Sequence, residues 1–219
     1  MGEIRRSQLP EIERAYQAAH RALGVTVPRD FCLSPISHVG IAEVISPFLG
    51  PAIYWHASQA EDWELTMACV DSDHQRGHGF DAVVDDSEYD FEYPGSALNR
   101  AARAYRSAAG WDYSTPEDGG IWLLMLAPVA AITGGDDSLP WRCFGHVAGF
   151  VILYDRDEDG VYEAVGHAWT AEVWRRRGIA RRLLEEARSR FRATTLEGPY
   201  TKHGAALVEA VQWPGAATP

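Results

Sequence analysis

One stretch constrains this chain more than any other: Trp174-Arg175-Arg176-Arg177-Gly178-Ile179-Ala180-Arg181-Arg182-Leu183-Leu184, a basic turn with a glycine that runs directly into a helix. Ile179, Leu183, Leu184, Ala187 and Phe191 recur at helical spacing and share one face. Ahead of the turn, Val161 to Thr170 is rich in branched and aromatic residues and reads as a strand. The unit is therefore strand, loop and helix, the building block of a layered α/β structure.

The chemistry of that loop follows from its backbone. The first amides of a helix have no intrahelical acceptor, and the aligned peptide dipoles add about half a positive charge at that end. A phosphate group suits both. Gly178 and Ala180 keep the turn free of bulk, while Arg175, Arg176 and Arg177 add charge and bidentate donors. The combination predicts a site for a di- or polyphosphate. The competing reading is a solvated, arginine-rich helix start without a ligand. Against it stands the cost of placing three cations beside the positive end of a helix dipole.

Arg175-x-x-Gly178-x-Ala180, placed after a strand and before an amphipathic helix, resembles the Arg/Gln-x-x-Gly-x-Gly/Ala signature of the GNAT superfamily of N-acetyltransferases. The resemblance extends more weakly over residues 120–213. It implies a mixed α+β fold with a splayed central sheet flanked by helices. It also implies acetyl-CoA as acyl donor, with the pyrophosphate on Arg175, Arg176, Arg177, Gly178, Ile179 and Ala180. The pantetheine arm would lie near Trp169, Thr170 and Ala171. The implied reaction is direct transfer of an acetyl group to an amine, with no metal and no acylated cysteine.

In that family the base is often a carboxylate on the strand before the loop. Glu163 lies there, and simple alternation predicts that it shares a face with Val165, His167 and Trp169. Apolar neighbours would raise a carboxyl pKa toward useful values. A solvated glutamate at a strand's start is the alternative. His167 is the second candidate for handling the proton, against a structural histidine. Tyr200 stands where the family often places the acid that protonates the departing thiolate, although Gly198-Pro199-Tyr200-Thr201 departs from the usual pattern and a packing role competes. Glu172, at the strand-to-loop junction, reads as a counter-charge for the arginines.

With 219 residues the chain can bury a core without covalent staples, and it reads as one domain. Residues 121–213 form the expected acetyl-CoA-binding core, and residues 1–120 an elaboration that shapes the acceptor site. Three scattered cysteines, Cys32, Cys69 and Cys143, argue against a disulfide framework. No basic segment followed by an apolar run opens the chain, which predicts a cytoplasmic protein. A net charge of −11 disfavours nucleic acid and anionic membranes as partners and favours a small cationic amine as substrate. A short C-terminal sheet leaves room for a homodimer.

Along the chain, a helix is expected over Leu9 to Leu23, and loop with one short helix from Pro28 to Gly50. Ala52–His56 and Trp63–Val70 read as a hairpin, and Asp71 to Glu92 as a mobile acidic segment. Ser96 should cap a helix ending at Gly110. Strands are expected over Ile121–Ile132, with a break near Pro128, and over Cys143–Tyr154. A last parallel strand is expected over Ala193–Leu196, followed by a helix capped by Thr201. Asp155-x-Asp157-x-Asp159-Gly160 opens like a calcium loop but carries Gly166 at the twelfth position, so an acidic turn explains it better. Cys69, His74 and His78 match no strong zinc spacing. Two rivals to the acyltransferase remain: a non-catalytic acyl-CoA-binding sensor or scaffold, and a metal-dependent hydrolase built on the Cys69–His78 loop.

Overall fold

A computed structural model describes residues 50–57, 65–71, 80, 82–85, 96–109, 120–133, 141–198 and 200–213. The helix expected over Leu9–Leu23, the stretch 28–49 and the loop bearing His74 and His78 lie outside the described residues. In chain order the elements are β1 (Ala52–Ala57), β2 (Thr66–Asp71), β3 (Ala82–Val84), α1 (Ala97–Ala109), β4 (Ile121–Thr133), β5 (Trp141–Tyr154), β6 (Ala164–Thr170), a 3-10 turn (Glu172–Trp174), α2 (Ile179–Arg190), β7 (Thr195–Leu196) and α3 (Lys202–Val211). They make a mixed α+β fold, with a seven-stranded sheet flanked by three helices among the described residues.

The long antiparallel pair β4 and β5 forms the spine. It is continuous through Pro128, where only the register shifts, so the break expected there is an irregularity within one strand. Every side chain from Ile121 to Ala127 is buried, as is every one from Gly145 to Tyr154. Strands covered on both faces read as near-continuous apolar runs, and these do, with His146 as the polar exception, its Nδ1 2.8 Å from Gly50 O.

On its other edge β5 serves two strands in turn. Trp141–His146 pairs with β1, and Gly149–Tyr154 pairs with β6. The exchange falls where Val147 donates its amide to Pro51 O at 2.9 Å and Ala148 O accepts the amide of Ala171 at 3.0 Å. Ala148 is the extra residue of a β-bulge opposite Met125 and Leu126, which re-aims the strand from one partner to the next.

The hairpin expected between the first two strands does not form. β3 lies between them, antiparallel to β1 and parallel to β2, while β2 runs antiparallel to β4. The pairings thus close a ring through β1, β3, β2, β4 and β5, in which β1 and β2 do not pair with each other. β3 also gives structure to part of the acidic segment expected to be mobile.

Cross-strand register places α1 and α2 on opposite faces. Phe150 meets Tyr105 of α1, with ring centroids 5.8 Å apart, whereas a Cβ on neighbouring Gly149 would lie 3.0 Å from Ile179 Cγ2 of α2. α1 is capped by Ser96, whose Oγ accepts the amide of Asn99 at 3.2 Å, and buries Leu98, Ala101, Ala102 and Tyr105 as its pattern predicts. α3 is capped by Thr201, which accepts the amide of Gly204 at 3.1 Å.

Gly145 shows how tightly the spine is packed. A Cβ there would stand 2.0 Å from Ala127 O and 2.7 Å from Cη2 of the buried Trp55. A carbonyl in the middle of a ladder cannot move aside cheaply. Gly145→Ala is therefore expected to destabilise the fold by about 1–3 kcal/mol, read as a fall of several degrees in the thermal midpoint; an unchanged midpoint contradicts this packing.

Candidate active site

The strand that leads to the basic turn starts later than its sequence suggests. β6 runs from Ala164 to Thr170, so Glu163 precedes it. Within β6, Ile152 pairs with His167 and Leu153 with Val165, which leaves Gly166 as the extra residue of a bulge. A Cβ on Gly166 would meet the Tyr154 ring at 2.6 Å, so only glycine fits against that ring. The bulge breaks the alternation expected for Glu163, Val165, His167 and Trp169. His167 and Trp169 face the α1 side, whereas Val165 follows Leu153 onto the α2 side.

Beyond Val165 the sheet opens. β7 matches β6 only through Ala164↔Thr195 and Val165↔Leu196, flanked by bonds from the Thr194 and Thr195 amides to Glu163 O at 2.8 and 3.0 Å and from the Glu197 amide to Val165 O at 2.9 Å. Among the described residues no other strand pairs with β6 on that side. The C-terminal half of β6, with Trp169 and Thr170, therefore has no strand paired to that edge among the described residues, and the basic turn follows directly after it.

That turn is held from within. The Arg175 side chain donates from Nε to Thr170 O at 3.2 Å, and the Arg177 guanidinium lies 5.4 Å from the ring centroid of the buried Trp174. Arg176 (φ 63°) and Gly178 (φ 80°) both take the left-handed conformation. At Gly178 the conformation itself demands glycine, because a Cβ there would meet nothing within 4 Å. Gly178 is the N-cap of α2 and provides no side-chain acceptor, and the helix's first turn carries no acidic residue. Among the described residues, no side chain caps its positive end and nothing stands within 4 Å of where a Gly178 Cβ would lie. These features fit a phosphate group. Ile179 is buried against the sheet and Ala180 half-buried, while Arg175, Arg176 and Arg177 are exposed. Glu172 is exposed, and its carbonyl accepts the Arg175 amide at 3.2 Å.

At the other end of β6 lies a polar cluster. Arg156 sits on the Glu197 carboxylate in a two-bond pair of 2.7 and 2.5 Å, with its guanidinium 4.3 Å from the Tyr154 ring centroid. Glu163 accepts the Arg156 amide through Oε1 at 3.1 Å; its Oε2 is buried and has no hydrogen-bond partner among the described residues. Tyr200 donates to Leu196 O at 2.6 Å. Burial, then the charge of Glu197, raises the Tyr200 phenol above its ordinary value, so it stays protonated. His167 Nδ1 lies 2.9 Å from the Tyr105 hydroxyl. Burial pushes this imidazole below its ordinary value of 6.5; Glu197 opposes the shift and Arg156 adds to it.

Glu163, His167 and Tyr200 are therefore not joined by hydrogen bonds to one another in any contact described. Glu197 connects them: it pairs with Arg156 and acts electrostatically on both His167 and Tyr200. Sequence reasoning passed over Glu197, Arg156 and Tyr105. A signal existed for the first, since a carboxylate just past the end of a parallel strand stands at the edge where open α/β sheets bind ligands. Tyr105 read as one more apolar position on a helix face.

The acidic turn after β5 is closed by its own carboxylates. Asp155 accepts the amides of Asp159 and Gly160 at 3.2 and 2.7 Å, and Asp159 that of Val161 at 2.8 Å. The two described cysteines are poor nucleophiles, with burial raising the Cys69 thiol and pushing Cys143 up to about 11.

No family model matches the chain, and no curated protein does. Among solved structures, it is similar to a ribosomal-protein-alanine N-acetyltransferase from Brucella melitensis biovar Abortus 2308. The two are 19% identical, the match covers 71% of this chain and 94% of that one, and the TM-score is 0.37. Among the described residues no helix is long and apolar enough to cross a membrane.

A histidine that folding keeps neutral binds fewer protons than its unfolded counterpart. Its contribution to stability is complete above pH 6.5 and is lost as pH falls through the lowered folded value. The thermal midpoint of the native chain should therefore drop more steeply on acidification below 6.5 than that of His167→Gln. Parallel curves for the two proteins would contradict a buried neutral His167.

Proposed function

We propose that this chain is an N-acetyltransferase that moves the acetyl group of acetyl-CoA to a primary amine of a small, cationic acceptor. One observation carries the reading: an uncapped helix start, preceded by Arg175, Arg176 and Arg177, stands at the end of β6 where β7 has ceased to pair with it. A dinucleotide-like head on the turn and an extended arm along β6 satisfy both features at once. The pyrophosphate takes the amides of Gly178, Ile179 and Ala180 with the arginines, and the pantetheine arm runs beside Trp169, Thr170 and Ala171 toward the bulge at Gly166.

Transfer requires the acceptor nitrogen to lose its protons, to bond the thioester carbon, and to break the carbon–sulfur bond; sulfur leaves as thiolate and takes up a proton. Glu163 is the proposed proton acceptor, because its Oε2 is a buried carboxylate oxygen with no partner among the described residues. Tyr200 is the proposed donor to sulfur. His167 lines the reacting centre as a neutral imidazole. Arg156 already balances Glu197, and the carboxylates of Glu163 and of the neighbouring acidic turn Asp155–Asp159 leave that end of β6 negative, which favours a cationic acceptor, in line with the net charge of −11. Holding both reactants in one groove supplies much of the rate. The proposed setting is the cytoplasm, with no nucleic acid or membrane partner and no metal in the reaction.

The assay is release of free coenzyme A from acetyl-CoA with a panel of primary amines. Activity is expected with diamines and other cationic amines, and Tyr200→Phe should lower kcat by about a hundredfold with an unchanged KM for acetyl-CoA. A native chain that binds acetyl-CoA but releases no coenzyme A with any amine would support the alternative, an acyl-CoA sensor or scaffold.

A further inference from the structure

Tyr105 comes from α1, far from the basic turn in sequence, and yet its hydroxyl meets His167 at 2.9 Å. Packing fixes the pair. The Tyr105 ring stands edge-on to the imidazole with centroids 5.3 Å apart, and Tyr154 of β5 does the same from another direction at 5.8 Å. Tyr105 also packs edge-on against Phe150, which stacks on Trp169 at 5.6 Å. The imidazole thus sits in an aromatic frame that reaches Trp169 of β6.

Two groups of unequal strength share that hydrogen bond. A phenol is a better donor than a neutral imidazole N–H, and an imidazole nitrogen is a better acceptor than a phenol oxygen. The tyrosine therefore gives its proton to the bond. Which ring nitrogen of a neutral histidine holds its proton is set by the partner of the other one. We propose that Tyr105 is a positioning residue: its hydroxyl donates to Nδ1 of His167, holds the proton of the neutral imidazole on Nε2, and makes His167 a hydrogen-bond donor in the reaction. This rests on the acyltransferase reading, and it assigns His167 a role that sequence reasoning did not, since an Nε2–H cannot take the acceptor's proton. The donor's natural target is the thioester oxygen, which gains negative charge as the amine attacks. Among the described residues, charged or titratable groups around the ring include Tyr154 from β5, Arg156 from the following turn and Glu197 after β7.

The test needs no substrate in its first arm. With nitrogen-15 in the histidines, long-range proton–nitrogen correlation spectra show which nitrogen of each ring is protonated, and the signal missing from His167→Gln identifies His167. The native chain should show His167 protonated on Nε2, and Tyr105→Phe should show a smaller share of that proton on Nε2. A native His167 protonated on Nδ1, or the same tautomer in both proteins, overturns the proposal. If Tyr105→Phe does not fold, the native spectrum alone decides.

The second arm is kinetic. Tyr105→Phe should lower kcat about tenfold with an unchanged KM for acetyl-CoA, and His167→Gln, which keeps an N–H donor, should retain more activity than His167→Ala. A changed tautomer with an unchanged kcat overturns the catalytic part of the proposal. If the native chain transfers no acetyl group to any amine, the acyltransferase reading fails, while the spectra still settle how Tyr105 holds His167.

Discussion

Hydrogen bonding along β5 is the constraint on which the rest depends. One strand of fourteen residues pairs with β4 on one edge and with β1 and then β6 on the other. The exchange at Val147 and Ala148 lets both halves of the chain use one spine, and it fixes where β6 begins and ends. The end of β6, in turn, determines where the basic turn and α2 stand. Gly149 matters for the same reason: a Cβ there would lie 2.8 Å from Trp169 O and 3.0 Å from Ile179 Cγ2, so its absence lets the start of α2 settle on the strands. The geometry of the candidate site is therefore set by backbone pairing and by small residues in the core, several residues away from any charged group.

The site is polar along its length. Its C-terminal end gathers the helix dipole and three arginines, while its N-terminal end holds Glu163, Glu197 and the acidic turn with Arg156 among them. A ligand with an anionic head and a partner substrate with a cationic group would approach β6 from opposite ends and meet near Gly166. The bulge at that residue has a physical role here. It turns His167 toward α1 and toward Tyr105, into surroundings that keep the imidazole neutral.

Much of this was legible in the sequence. Local signals revealed α1 and α3 with their Ser96 and Thr201 caps, the amphipathic α2, and the apolar runs of β4 and β5, because periodicity and cap chemistry are properties of neighbouring residues. The Arg175–Ala180 turn was readable for the same reason. Long-range pairing was not. Nothing in Ala52–Ala57 or Thr66–Asp71 says that a third strand will stand between them, and adjacency alone favoured a hairpin. The bulge at Gly166 was also hidden, since strict alternation is the default for a strand and only the Tyr154 ring, twelve residues upstream, requires a glycine there. Tyr105, Arg156 and Glu197 entered the site through tertiary contacts to residues far away in the sequence.

The central claim is that the turn at Gly178 holds the phosphates of acetyl-CoA. It is tested most directly by thermal unfolding of the native chain and of Gly178→Glu, each with and without acetyl-CoA, and each compared with its own ligand-free midpoint. Ligand at about a hundred times its dissociation constant adds roughly 2.7 kcal/mol of stability, a shift of several degrees for a chain of this size. The account predicts that shift in the native chain and its loss in the variant, where a carboxylate faces the phosphates. No shift in the native chain, or an equal shift in both proteins, would contradict it.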